Sequence, residues 1–189
     1  MNRLAAAGAA ALATAVLVHP ASAAAASNSA TTSIAVDPAT QIEMHVNADC
    51  AGDRCTFNTT ANLLAGGAPT GFPGDTWARQ TVTLRSTDRN VWQQVSYSSP
   101  SGMPRETKGS NHDNVVSRML KSLNSVEISV TYFGGGPIER FKLDGDSMPI
   151  DWGSGRPATN STLIACSHIQ VVYGGVNLTT PDACAQTTF

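Results

Sequence analysis

Cys50 and Cys55 sit at the inner ends of two alternating runs, and this pair constrains the fold more than any other feature. Across residues 41–49, Ile42, Met44, Val46 and Ala48 fall on one face and Gln41, Glu43, His45 and Asn47 on the other. Alternation with a period of two is the pattern of a strand with one buried face. Residues 55–64 continue it, with Cys55, Phe57, Thr59, Ala61 and Leu63 on one side, after the turn Ala51-Gly52-Asp53-Arg54. With Cys50 opposite Cys55, Ala48 meets Phe57, Val46 meets Thr59, Met44 meets Ala61 and Ile42 meets Leu63. Every pair then places its apolar members on the same face, and a slip of one residue would turn one strand's apolar set to water. Directly opposed Cα atoms in such a ladder lie about 4.5–5.5 Å apart, within disulfide reach. The apolar face of this hairpin needs a second layer to cover it.

The rest of the chain reads in the same way. Strand patterns recur at about 77–86, 91–98, 126–132, 138–143, 162–173 and 176–180, separated by Gly-, Pro-, Asn- and Asp-rich turns such as 66–75, 87–90 and Asp144-Gly145. One segment departs from the period of two. Val115, Val116, Met119, Leu120 and Leu123 recur at helical spacing, with Arg118 and Lys121 opposite, and Asn111 or Asp113 is placed to cap the start. The expected architecture is mainly β: an antiparallel sandwich or barrel of about eight strands, with one short amphipathic helix at about 113–123. Residues 99–111 read as a long polar loop, and residues 146–160 as irregular.

The N-terminus has the layout of a secretory signal peptide. Met1-Asn2-Arg3 is a short basic start, Leu4–Val18 is small and apolar without charge, and Ala21-Ser22-Ala23 is a small-x-small cleavage site. Residues 1–23 are therefore expected to be removed. Residues 24–40, rich in Ala, Ser and Thr, read as a flexible lead-in to a single domain at 41–189. The apolar run is too short to span a bilayer comfortably. Four cysteines in an exported chain point to two disulfides, with Cys50–Cys55 and Cys166–Cys184 as the local pairing. The expected location is secreted or extracytoplasmic, with cell-wall association. With 12 basic and 14 acidic residues and a formal net charge of −2, the chain lacks the basic face of a nucleic-acid binder.

No coherent catalytic set emerges, and nothing calls for a cofactor. Gly145-Asp146-Ser147 resembles the surroundings of a serine nucleophile, but Met148-Pro149 follows it and no Gly-x-Ser-x-Gly elbow exists. Asp144, Asp146 and Asp151 form a weak calcium candidate, since alternate carboxylates on a loop can supply oxygen ligands. His45, His112 and His168 show no metal spacing. The aromatic residues are more informative. Trp92 has the opposite parity to Val91 and Val95, Trp77 follows a Gly/Pro-rich loop, and Trp152 adjoins Asp151. Flat aromatic faces on an exported β-domain suit sugar rings or protein partners, so Trp77, Trp92, Trp152 and Asp151 are the candidate ligand-binding residues.

The Ala-rich leader, the preference for Arg over Lys (9 against 3), and the stretch from Cys50 through Gly71-Phe72-Pro73-Gly74-Asp75-Thr76-Trp77-Ala78-Arg79-Gln80 resemble small exported proteins of mycobacteria and related actinobacteria. The resemblance implies a cell-envelope or secreted setting and carries over no catalytic residue. The expected function is a non-catalytic binding protein at the envelope, its ligand a glycan or a protein. Two alternatives are a hydrolase acting on envelope polymer through Ser147 or an acid cluster, and a secreted inhibitor or interaction protein presenting the 99–111 loop.

Overall fold

The computed structural model describes residues 26–188; the signal peptide expected at 1–23 lies outside the described residues. In chain order the strands are β1 (Ala26–Asp37), β2 (Thr40–Ala51), β3 (Arg54–Ala65), β4 (Ala68–Thr70), β5 (Trp77–Ser86), β6 (Val91–Ser98), β7 (Asn111–His112), β8 (Val115–Lys121), β9 (Ser125–Phe133), β10 (Lys142–Asp151), β11 (Thr162–Tyr173), β12 (Val176–Thr179) and β13 (Ala183–Thr188), with a 3-10 turn at Ile138–Phe141. They form two antiparallel sheets. The first runs β1-β2-β3-β10-β6, with β4 added to β3; the second runs β12-β11-β5-β9-β8-β7, with β13 added to β11.

The β2–β3 hairpin has the register that its alternation dictates: Cys50 opposes Cys55, Ala48 opposes Phe57 and Ile42 opposes Leu63. Disulfides join Cys50 to Cys55 and Cys166 to Cys184. The inward face of the first sheet supplies Ile42, Met44, Val46, Phe57, Tyr97 and Leu143; the second answers with Leu84, Ile128, Val130, Leu163, Ile169 and Val171, all essentially inaccessible to solvent. Each such side chain contributes about 1.5–3 kcal/mol of burial, which is why alternation dominates the fold.

Polar contacts fix how the two layers sit on each other. Gln80 of β5 is fully buried; its Nε2 donates to Thr59 of β3 in the opposite sheet, and its Oε1 accepts from the Tyr132 hydroxyl at 3.1 Å. The Tyr97 hydroxyl of β6 donates to Ser117 of β8 at 2.8 Å. An apolar core resists sliding only through shape, whereas hydrogen bonds across it specify one offset. The Tyr132 phenol is held far above its ordinary pKa by burial, so it remains a donor at any physiological pH.

Both open sides of the sandwich are stitched. On one side, Asn28 Nδ2 of β1 donates to the Gln186 carbonyl of β13 at 2.9 Å, and Thr32 Oγ1 donates to the Pro181 carbonyl at 2.8 Å. On the other, the segment after β6 lies between the two sheets. Glu106 exchanges backbone hydrogen bonds with Tyr97 of β6, while Ser110 exchanges them with Ser117 of β8 and the Lys108 carbonyl accepts from Met119. One end is plugged by Phe72, whose ring packs 4.7 Å from that of Phe141. Phe72 is pinned by paired backbone hydrogen bonds to Gly136. The 71–80 stretch is thus an end-plug leading into β5.

Several expectations need correction. The helix expected at 113–123 is strand β8, entered by a turn in which Asp113 (φ 48°) and Asn114 (φ 57°) are both left-handed. Two such residues between short extended segments make a hairpin turn, and Val115 and Ser117 then point inward by period two. Thirteen strands, not about eight, are formed among the described residues. The lead-in read as flexible is edge strand β1 from Ala26 to Asp37, paired along β2 and turning Ala30, Ile34 and Val36 toward the core. The short strand expected at 138–143 begins instead as the 3-10 turn. Asp144-Gly145 is not a turn but the middle of β10, which continues to Asp151.

Candidate functional site

The outer face of the first sheet carries the polar half of each alternation. Trp92 of β6 points out to it because Val91, Gln93 and Val95 point in. Trp92 opposes Ile150 of β10, and the chain folds back just beyond. The Asp151 carboxylate accepts from the Ser154 amide (2.7 Å) and hydroxyl (2.8 Å), while the Trp152 amide donates to the Asn90 carbonyl at 2.9 Å. This tight turn sets Trp152 against Trp92, ring centroids 5.9 Å apart and planes at 41°. Trp152 remains 53% exposed and Trp92 is half-buried. The pair is a tilted aromatic wall at the edge of the sheet, wet on one side.

The structure separates the other candidates. Trp77 lies on the second sheet, opposite Val172 and Phe133, and is not part of the Trp92–Trp152 pair. Asp151 holds the turn that carries Trp152, and its bonds to Ser154 lower its pKa. Asp144 and Asp146 do share a face of β10, but arginines engage both. Arg54 pairs with Asp146, and Arg105 reaches Asp144 at 3.1 Å and Asp146 at 3.9 Å. Ser96 and Ser98 donate to the same two carboxylates at 2.6 and 3.1 Å. Asp151 is at the other end of β10, so the calcium candidate is not assembled. Among the described residues no group of three or more His, Cys, Asp or Glu is placed to hold a metal ion.

Ser147 is fully buried and its hydroxyl donates to Gln93 Oε1, which removes it from the reach of a substrate. The three histidines among the described residues occupy different neighbourhoods. His45 bridges Thr31 and Asn62, each at 3.0 Å, on the outer face of the first sheet. His112 faces Asp113 at 4.0 Å, and His168 pairs with Asp182 at 2.7 Å.

A groove of about 530 Å³ opens on the outer face of β1, β2 and β3, lined by Asn28, Ser29, Asn47, Asp49, Thr56 and Asn58. Asn47 Nδ2 donates to Asn58 Oδ1 at 2.9 Å across the hairpin. The signal was present in the outward positions of the alternation, where Asn47 and Asn58 are directly opposed.

Among the described residues no helix is long and apolar enough to cross a membrane. The two disulfides are compatible with an extracytoplasmic location. No protein-family model matches the chain, and no curated protein matches it. Among solved structures the chain is similar to the Clostridium perfringens NetB toxin in its membrane-inserted form, at 8% identity over 88% of this chain and 92% of that one, with a TM-score of 0.25. A likeness that slight carries no argument about fold or function.

Proposed function

We propose that this is an exported, non-catalytic binding protein of the cell envelope, and that its ligand is a glycan held against Trp92 and Trp152. The observation that carries the reading is the tilted tryptophan pair, 5.9 Å between centroids, with Trp152 half exposed on a turn held by Asp151 and Ser154. An exposed indole costs hydration unless something covers it, and the flat apolar faces of sugar rings match it. The leader-like N-terminus and the disulfides support export. The burial of Ser147 and the pairing of Asp144 and Asp146 with arginines weigh against the hydrolase alternative. The inhibitor alternative keeps a firmly held loop, with backbone groups at Glu106, Lys108 and Ser110 bonded to the two sheets, but no aromatic anchor on it matches the tryptophan pair.

The test is co-sedimentation of the protein with insoluble envelope material, before and after protease treatment of that material. Binding that survives protease and drops roughly tenfold in Trp92→Ala or Trp152→Ala, with folding intact, supports the reading. Binding abolished by the protease treatment points instead to a protein partner, and equal binding by the tryptophan variants removes the aromatic wall from the site.

A further inference from the structure

The groove on β1–β3 lies on the same sheet face as the tryptophan pair but on different strands. Its polar lining is asparagine, serine and threonine with one carboxylate, Asp49. This composition selects against most ligand classes. A single negative charge disfavours phosphate or carboxylate ligands. One carboxylate falls short of the oxygen set a divalent cation requires. Ala48 is the sole apolar lining residue, so an acyl chain gains little there. What remains matched is a neutral molecule that both donates and accepts at closely spaced positions. The Asn47–Asn58 bond orients both amides, leaving Asn47 Oδ1 to accept and Asn58 Nδ2 to donate. Asp49 adds an acceptor and Thr56 a hydroxyl. Paired amides beside a carboxylate are complementary to the adjacent hydroxyls of a sugar ring.

Register relates the groove to the tryptophans. Thr56 opposes Asp146, and Asp146 opposes Ser96 on β6, four residues from Trp92. Two strand spacings and four residues along the strand amount to about 17 Å. The ground between is a smaller depression of about 200 Å³ lined in part by Arg54, Gln94, Ser96 and Met148. We infer that the Asn47/Asn58 groove is a second glycan subsite, taking a neutral sugar residue of the same chain whose other end stacks on Trp92 and Trp152. The inference rests on the glycan reading for its ligand class and adds the groove, the neutrality of the sugar and the requirement for an extended oligosaccharide.

The experiment is a titration of the isotope-labelled protein with cello-, manno-, malto- and chito-oligosaccharides, each as disaccharide and hexasaccharide, followed in the side-chain amide and indole N–H resonances. A hexasaccharide that moves the Asn47 and Asn58 amides together with the Trp92 and Trp152 indoles supports both sites. The variant Asn47→Ala/Asn58→Ala should then bind that hexasaccharide roughly fivefold to tenfold more weakly and the disaccharide unchanged. Both positions are exposed, so the variant keeps its fold. Indole shifts without amide shifts overturn the groove and leave the tryptophan reading standing. Amide shifts without indole shifts overturn the tryptophan wall and, with it, the single ligand spanning both sites. No shift with any of these saccharides overturns both, and so does an unchanged hexasaccharide affinity in the variant overturn the groove.

Discussion

Gly145 shows how a residue's identity can answer to packing rather than to the local backbone. It stands in mid-strand opposite Phe57 on β3 and Tyr97 on β6. A Cβ there would run into the Phe57 ring and come within 2.8 Å of the Ser96 carbonyl. The strand gives up a side chain so that an aromatic ring can lie across it. Gly145→Ala should therefore cost about 1–3 kcal/mol, measured as a lower urea midpoint with an unchanged slope. Combined with Phe57→Leu it should cost less than the two losses added, because both act on the same space. From sequence, Asp-Gly is a strong turn signal, and the ring that overrides it comes from a strand some ninety positions away. Asp151 makes a second case. Its bonds from the Ser154 hydroxyl and amide hold its pKa below the ordinary 3.8. A depressed carboxylate pKa stabilises the fold above the unfolded value and loses that contribution as pH falls through the folded one. Carboxyl resonances should show Asp151 titrating lower than a free Asp, and Ser154→Ala should move it back toward 3.8. If Asp151 titrates normally in the parent protein, the turn that positions Trp152 is not held as described.

At the scale of elements, the β2–β3 hairpin was legible because two independent constraints, apolar parity and a cysteine pair, demand one register. The β7–β8 hairpin was not, and the reason is visible in its side chains. Val116, Leu120 and Leu123 are 39%, 53% and 78% exposed. Apolar residues on the solvent face joined the inward Val115 and half-buried Met119 into a false helical stripe. What decides the element is the left-handed pair Asp113-Asn114, whose carbonyls both accept from Arg140 Nη2, at 3.2 and 3.4 Å. Strand β1 was missed for a different reason. Its inward residues include only Ile34 and Val36 as large aliphatics, too few to raise the alternation above its Ala/Ser/Thr background. The turn gives a prediction whose sign separates the two readings. At φ 57°, Asn114→Ala should destabilise by about 1 kcal/mol, while Asn114→Gly should be close to neutral. A helix over 113–123 would demand the reverse order, since Ala favours a helix over Asn and Gly opposes it. Thermal melts of the two variants measure the order directly.

At the scale of the whole molecule, the two sheets are closed into one body by segments that read as loops. The tryptophan wall and the groove sit on one face of the first sheet, so their spacing depends on that sheet keeping its shape, and the 106–110 strip supports its β6 edge. The strip was invisible in sequence because its pairing is backbone to backbone: Gly109 and Ser110 carry no apolar parity, and the partners Tyr97 and Ser117 lie on different sheets. The closing bonds run through the Glu106 amide on one side and the Ser110 amide on the other, the latter 3.2 Å from the Ser117 carbonyl and 3.1 Å from its hydroxyl. Proteolysis of such a segment requires local opening. Native protein should resist trypsin at Arg105 and Lys108, although both lie in a Gly- and Pro-bearing stretch, and Arg105 is further tied to Asp144. Ser110→Pro removes the donor on the β8 side and should make Lys108 cleavable without global unfolding. If the parent protein is cut there as fast as the variant, the strip does not close the sandwich. If cleavage in the variant also abolishes sedimentation with envelope material, the closed edge is what holds Trp92 and the groove in a common frame.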